Sequence, residues 1–282
     1  MKYHIFMKSS LGCFLCLSAV ITGCCIQSGC WGRAKYEKTE HLSAPMSAGG
    51  ILDVETNYGS ITVIGGDVTE CTVTAEICAR APSEEEAQEL AEEVKIQIET
   101  LGKTVKIWAK KPRLKNNRSI SVDFDITVPK ETSVECESSY GSIEIADIKG
   151  DIRADTSYGS VNTDNTNGSV ELNTSYGGIH CEAITSDEIR VRSSYGDIDI
   201  ASSGSCPAEL TAKVRTSYGS IDFAVPAGFG GEVEMSTSYG SIKTDLPITI
   251  RGELSKKRIT GTIGEGDGRV ELKTSYGSIK IR

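Results

Sequence analysis

The chain has 282 residues, enough for one large domain or two ordinary ones. Its net charge of −9 argues against a nucleic-acid partner, because phosphate binding is carried by clustered Lys and Arg, and short basic runs such as Lys256-Lys257-Arg258 read as solvated turns. With 29 glycines, only 7 prolines and a background rich in Ser, Thr, Val and Ile, the composition points to many short strands separated by tight turns.

The first element is a targeting segment. Lys2 and Lys8 flank a polar start, and Leu11 to Ile21 is an apolar run of signal-peptide length, too short to span a bilayer. It ends in Ile21-Thr22-Gly23-Cys24, which resembles a lipobox: an aliphatic residue, two small residues, then the cysteine that receives lipid after export. Residues 1–23 are therefore expected to be removed, leaving Cys24 lipid-attached at the head of a tether over 24–33. An ordinary signal peptide cleaved near Gly23 or Ser28 is the alternative. Half of the 10 cysteines lie at or before residue 30 and belong to this segment, so they imply no disulfide framework.

From residue 34 the chain is organised by a repeat. A Tyr-Gly corner recurs at Tyr58, Tyr140, Tyr158, Tyr176, Tyr195, Tyr218, Tyr239 and Tyr276. Six and four residues before each tyrosine lie apolar residues, such as Leu52 and Val54 or Val170 and Leu172. Two before it is always Ser or Thr, and three after it is always Ile or Val. Period-two alternation on both sides marks strands with one buried face, and its phase slips by one residue across Tyr-Gly, so the chain must bend there. Glycine after each tyrosine is expected to supply a positive φ for that bend. The short spacing of Tyr140, Tyr158, Tyr176 and Tyr195 fits strand, corner, strand and return turn, with consecutive coils stacked in parallel. The predicted fold is all-β: a single-stranded parallel β-helix, or β-solenoid, over 34–282, right-handed by the usual rule for crossovers. A β-sandwich of hairpins is the rival, but it predicts registers that differ between neighbouring units.

Two stretches depart from the repeat. In residues 64–131, Ser83 and Glu86 read as a capping box for a helix over about 83–94 with Ala87, Leu90, Ala91 and Val94 on one face. Val94 to Ile98 and Val105 to Ala109 read as a hairpin, and Val122 to Val128 as a further strand before Pro129. This insertion is expected to cover an end of the stack. Residues 245–269, around Gly264-Glu265-Gly266-Asp267-Gly268, read as a flexible loop.

Tyr36-Glu37-Lys38-Thr39, the segment Leu52 to Ile61, the acidic helix, the Val122 to Pro129 strand and the closing Arg269 to Ile281 resemble the bacterial putative-adhesin family, exported domains of unknown function related to auto-transporter adhesin heads. The resemblance covers nearly everything after residue 34 and implies a single-stranded β-helix. Family members commonly carry Asn-Gly where this chain has Tyr-Gly, and the family offers no catalytic residues to carry over.

No catalytic, metal or cofactor site is expected. His41 and His180 lack a metal-ligand spacing, and Asp164 to Gly168 has too few acidic residues for a calcium loop. Asp155, Asn173 and Arg192 share one outward position but offer no acid/base pair for glycoside hydrolysis. Cys136 and Cys181 read as core filler, and no Cys71–Cys78 disulfide is predicted. The candidate interaction feature is an aromatic ladder of Tyr140, Tyr158, Tyr176, Tyr195, Tyr218 and Tyr239, which either holds the corner by stacking or presents an amphipathic strip. The expectation is thus a non-enzymatic cell-envelope lipoprotein at the outer membrane or cell surface. Its partners would be the membrane, through the N-terminal lipid, and a glycan or protein ligand. The alternatives are a structural or stress-sensing envelope domain and a β-helix polysaccharide-active enzyme.

Overall fold

The structure is a computed structural model that describes residues 33–282 apart from 115, 205, 208 and 252–254. The expected signal peptide, Cys24 and most of the expected tether lie outside the described residues. Two large sheets face each other across one apolar core. In each coil the strand before Tyr-Gly joins one sheet and the strand after it joins the other. In the Tyr158 coil, for example, Ile152–Thr156 lies in the first sheet and Val161–Asp164 in the second. The period-two pattern sends Ile152 and Ala154 inward from one sheet and Val161 inward from the other, all of them buried.

All eight coils run parallel and in register, so like residues stack: Leu52 on Val134, Val134 on Ile152, Ala154 on Leu172, Leu172 on Val191. Each winding buries its apolar face only against its neighbours, as a solenoid requires. The β-sandwich alternative is excluded by this parallel pairing at like offsets from each corner, which one register shift, between Cys181 and Ile184, interrupts only beyond the corner strand's inward residues. Antiparallel pairing is confined to the ends of the stack.

Spatial order departs from sequence order at the C-terminal end. The last coil, whose strands are Gly268–Lys273 and Ile279–Ile281, inserts between the Tyr218 coil and the Tyr239 coil in both sheets. The described residues of 245–269 make this possible, and they include two strands where a flexible loop was expected. Ile248–Ile250 and Arg258–Ile263 are strands, the latter antiparallel to Gly231–Ser236, and together they cover the end of the first sheet. Arg258 accordingly belongs to a strand and pairs with Glu234 at 3.1 Å, rather than to a solvated turn. The glycines let backbone lie on backbone where the chain enters the slot. A Cβ on Gly230 would sit 2.0 Å from the Glu265 carbonyl oxygen, and one on Gly231 2.0 Å from that of Gly268.

At the other end, the 64–131 insertion both lengthens and covers the stack. Thr104–Lys110 pairs parallel with Ile51–Thr56, and Ser119–Pro129 pairs parallel with Ile61–Gly66, so the insertion contributes a further coil without a Tyr-Gly corner. Val105 and Ile107 extend the columns of Leu52 and Val54, while Phe124 and Ile126 extend those of Ile61 and Val63. Beyond this coil, Glu70–Ala81 and then Ala34–Pro45 close the second sheet antiparallel, and Lys95–Leu101 closes the first. The helix Glu84–Glu93 lies over Ala34–Pro45 and Glu70–Ala81. Ser83 caps it, accepting from the Glu86 N–H at 3.3 Å, and three glutamates occupy its positive first turn. The Glu86 carboxylate pairs with Arg118 at 2.5 Å.

The return turns contain a recurring left-handed residue. Asp147, Asn165 and Ala183 occupy equivalent places in successive coils with φ of 58°, 48° and 51°. Asp and Asn tolerate this region, whereas alanine has no local hydrogen bond to offset the Cβ clash. Ala183→Asn is therefore expected to stabilise the protein by about 0.5–1 kcal/mol, read as a raised denaturant midpoint with unchanged slope.

Candidate interaction surface

The corner is built from three side-chain columns. The innermost is the Ser/Thr two residues before each tyrosine, buried in every coil. Its hydroxyl bridges two windings. Thr156 Oγ1 donates to the Gly141 carbonyl of the neighbouring coil at 3.0 Å and accepts from the Gly159 N–H of its own coil at 3.3 Å. Thr174 repeats this with Gly159 and Gly177, Ser193 with Gly177 and Gly196, and Thr216 with Gly196 and Gly219. Thr274 donates to Gly219 at 2.8 Å and Thr237 to Gly277 at 2.8 Å, following the spatial order of the coils rather than the sequence order. The always-Ser-or-Thr rule thus satisfies buried backbone groups at a bend where no strand ladder can reach them.

The glycine column has a different cause from the one expected. Among the corner glycines only Gly59 has a positive φ, 135°. The others are required by proximity: a Cβ on Gly141, Gly159, Gly177, Gly196 or Gly219 would lie 1.7–1.9 Å from the carbonyl oxygen of the glycine one coil away.

The tyrosine column is a continuous ladder. It takes in the six tyrosines of the expected ladder (Tyr140, Tyr158, Tyr176, Tyr195, Tyr218 and Tyr239) and extends to Tyr58 and Tyr276, with Tyr276 between Tyr218 and Tyr239. Neighbouring ring centroids are 4.7–4.9 Å apart and the rings lie within 5° of parallel. That spacing is the strand repeat, so the backbone dictates the stacking distance. Exposure is near half for most of the tyrosines and 70% for Tyr239. Each inner ring is covered on both faces by its neighbours, so the ladder shows solvent its ring edges and hydroxyls, not flat faces. Tyr239, last in the stack, is the most open.

The third column lies three residues before each tyrosine on the outer face. In spatial order it reads Glu55, Glu137, Asp155, Asn173, Arg192, Arg215, Lys273 and Ser236. A shallow groove runs beside its basic half, lined by Arg192, Arg215 and Lys273 on one side and Ser194, Ser217 and Ser275 on the other. Of this column only Asp155, Asn173 and Arg192 were singled out in the sequence. The remaining charges become legible once every Tyr-Gly corner is superimposed.

Glu271 sits between Arg215 and Lys273, at 2.6 and 2.7 Å. The Lys273 hydrogen bond, with help from Arg215, holds its carboxyl at about 2, below the ordinary 4.5. A depressed carboxylate contributes stability that is present above its unfolded value and lost as pH falls through the folded one. Stability is therefore expected to decline from about pH 4.5 toward pH 2, and Glu271→Gln to flatten that decline in a denaturation series.

The other candidates do not assemble into chemistry. His41 Nδ1 lies 3.0 Å from Thr74 Oγ1, and His180 Nε2 lies 3.0 Å from Glu182 Oε1. Among the described residues no group of three or more His, Cys, Asp or Glu is placed to hold a metal, and no helix is long and apolar enough to cross a membrane. Cys136 and Cys181 are buried core residues, and burial pushes the Cys181 thiol up to about 12. Cys71 and Cys78 are both free.

Among solved structures, the chain is similar to a putative adhesin from Bacteroides fragilis NCTC 9343, at 15% identity over 87% of this chain and 97% of that one, TM-score 0.45. It is similar to a putative cell adhesion protein from Clostridium sporogenes ATCC 15579, at 15% identity over 86% and 99%, TM-score 0.40. A putative lipid binding protein from Parabacteroides distasonis ATCC 8503 matches at 13% identity over 87% and 96%, TM-score 0.35. No curated protein matches. The family model described as Toastrack DUF4097 matches residues 52–282, every Tyr-Gly coil included, and the chain belongs to that family.

Proposed function

We propose that this protein is an exported, non-enzymatic envelope lipoprotein, attached through Cys24, that presents its solenoid as a surface for adhesion to a glycan or protein. The supporting observation is the tyrosine ladder. Eight phenol edges stand in line, about half exposed, and their hydroxyls have no hydrogen-bond partner among the described residues. A row of donor-acceptor groups at the strand repeat suits a polar partner that is itself extended. It suits less well a sugar ring that must lie on an open aromatic face, which only the end of the ladder offers. The Ile21-Thr22-Gly23-Cys24 sequence supports lipid attachment.

Two experiments separate the parts of this reading. Cys24→Ala is expected to move the chain from the membrane fraction to the soluble fraction, and an unchanged distribution would contradict attachment at that residue. Replacing Tyr140, Tyr158, Tyr176 and Tyr195 together with Asn is expected to abolish retention on intact cells, defined glycans or wall fragments at an unchanged melting temperature. A lowered melting temperature with retention intact would assign the ladder to structure instead.

A further inference from the structure

The outer charge column has a symmetry that no single coil reveals. From Glu55 to Lys273 its signs run three negative, one neutral, three positive, with Asn173 in the middle. One step from Asn173 lie Asp155 and Arg192; two steps away lie Glu137 and Arg215; three steps away lie Glu55 and Lys273. The order depends on the intercalated last coil, which places Lys273 rather than Ser236 in the seventh position. Reversing the direction of this column turns it into its own electrostatic complement.

A twofold axis in the plane of contact, perpendicular to the column and passing at Asn173, performs that reversal and lays each column of one copy over the same column of the other. We infer that two copies of this chain pair antiparallel along the corner edge. Asp155, Glu137 and Glu55 of each copy face Arg192, Arg215 and Lys273 of the other, and the two Asn173 side chains meet on the axis. The paired length is six coil steps, about 29 Å.

Three further observations fit this occupant. Glu137 and Arg192 are exposed and have no charged partner among the described residues. The neighbouring column toward the corner is Asn57, Ser139, Ser157, Ser175, Ser194, Ser217 and Ser275, which places no charge against its copy, and the groove beside the basic half leaves room for incoming acidic side chains. In the next column away from the corner, Asp53 pairs with Lys106 at 3.1 Å, Glu171 with Arg153 at 3.4 Å, Arg190 with Glu188 and Glu271 with Arg215 at 2.6 Å. Glu135 and Lys213 have no charged partner among the described residues, and the same axis sets them opposite each other with opposite signs. The contact is therefore centred on the edge. Glu55 and Asp155 also have partners within the chain, in exposed pairs that are cheap to rearrange, whereas Arg215 and Lys273 can keep Glu271 while their remaining N–H donors meet the facing carboxylates.

The test uses the full chain purified in a non-ionic detergent and sedimented at low salt, where exposed charges are least screened. Wild type is expected to dimerise and to dissociate at high salt. The acid-side variant Glu55→Lys/Glu137→Lys/Asp155→Lys and the base-side variant Arg192→Glu/Arg215→Glu/Lys273→Glu are each expected to be monomeric. Their equimolar mixture is expected to dimerise again, because every contact then joins opposite charges. If either triple variant melts early, Glu137→Lys/Arg192→Glu changes only the two residues without internal partners and is also expected to be monomeric. Only a residue on the axis meets itself, so Asn173→Cys is expected to cross-link between copies above the level of the parent chain, and Glu137→Cys is not. A monomeric wild type, a mixture that fails to associate, or cross-linking equal at both positions would overturn the proposal. So would a wild type that stays monomeric while retaining an anionic polymer on the basic half.

Discussion

Gly159→Ala is expected to destabilise the protein by about 3–4 kcal/mol, in the range produced by backbone clashes and broken buried networks. The new Cβ would stand 1.9 Å from the Gly141 carbonyl oxygen and 2.4 Å from its carbon, both backbone atoms of the adjacent coil. No side chain can swing away, so the coils themselves must part. That movement also strains the Thr156 bridge and the Tyr158 N–H bond to the Ser139 carbonyl at 3.0 Å. For a domain of this size the loss corresponds to a melting temperature lower by roughly 6–15 °C. Gly204→Ala, with no atom within 4 Å of its Cβ, is the control, and its effect should stay within about 0.5 kcal/mol. Gly240→Ala meets a comparable clash with Gly277, but its coil is the last of the second sheet and can shift away without parting two inner coils, so its effect should fall between the two.

Thr174→Val is expected to cost about 1–3 kcal/mol, although the two side chains have nearly the same shape. The lost hydroxyl donates to the Gly159 carbonyl at 2.8 Å and accepts from the Gly177 N–H at 3.2 Å. Valine leaves both backbone groups buried and unpaired, and leaving such groups unmade costs more than the net worth of the bond itself. Thr174→Ser keeps the hydroxyl and should remain near wild type, as Ser138 and Ser193 show by filling the same role in other coils. Thermal melts of the three proteins decide the point: a Val variant that melts with wild type would contradict a role for the hydroxyl bridge.

These two residues also show what the sequence made legible and what it did not. The repeat placed the inward apolar residues flanking each corner, the parallel stack and the tyrosine column, because those depend on period-two burial, which side chains spell out directly; the buried Ile148 and Ile184, in the return stretches, and Val73 and Ile77, in Glu70–Ala81, lie outside that pattern. The helix and the hairpin after it followed from capping and alternation in the same way. The reason for glycine at the corner was not legible, since a close approach between coils is a fact about neighbours distant in sequence, whereas positive φ is a local one. The extra coil through Val105 and Phe124 was hidden because its corner lacks Tyr-Gly and its two apolar pairs lie further apart. The placing of the last coil ahead of the Tyr239 coil was hidden for another reason: all coils share one register, so the pattern fits any order. Only the Gly230-Gly231 and Gly264 to Gly268 stretches hinted at it, and they resemble ordinary turn glycines until both are seen pressed together. The self-complementary charge column inherits that difficulty, because its order is spatial.

Disulfide trapping on the outer face tests the stack most directly. Lys213 and Glu271 are register partners in adjacent coils, while Glu234 pairs with Glu271 on its far side. Cysteines at Lys213 and Glu271 should therefore oxidise to a disulfide, and the oxidised protein should melt no lower than the reduced double variant, since parallel neighbours about 4.8 Å apart fall within bridging range. Cysteines at Lys213 and Glu234, two coils apart, should not. The reverse result, with Lys213 bridging Glu234 and not Glu271, would mean that the coils follow sequence order; failure of both pairs would mean that the windings do not stack.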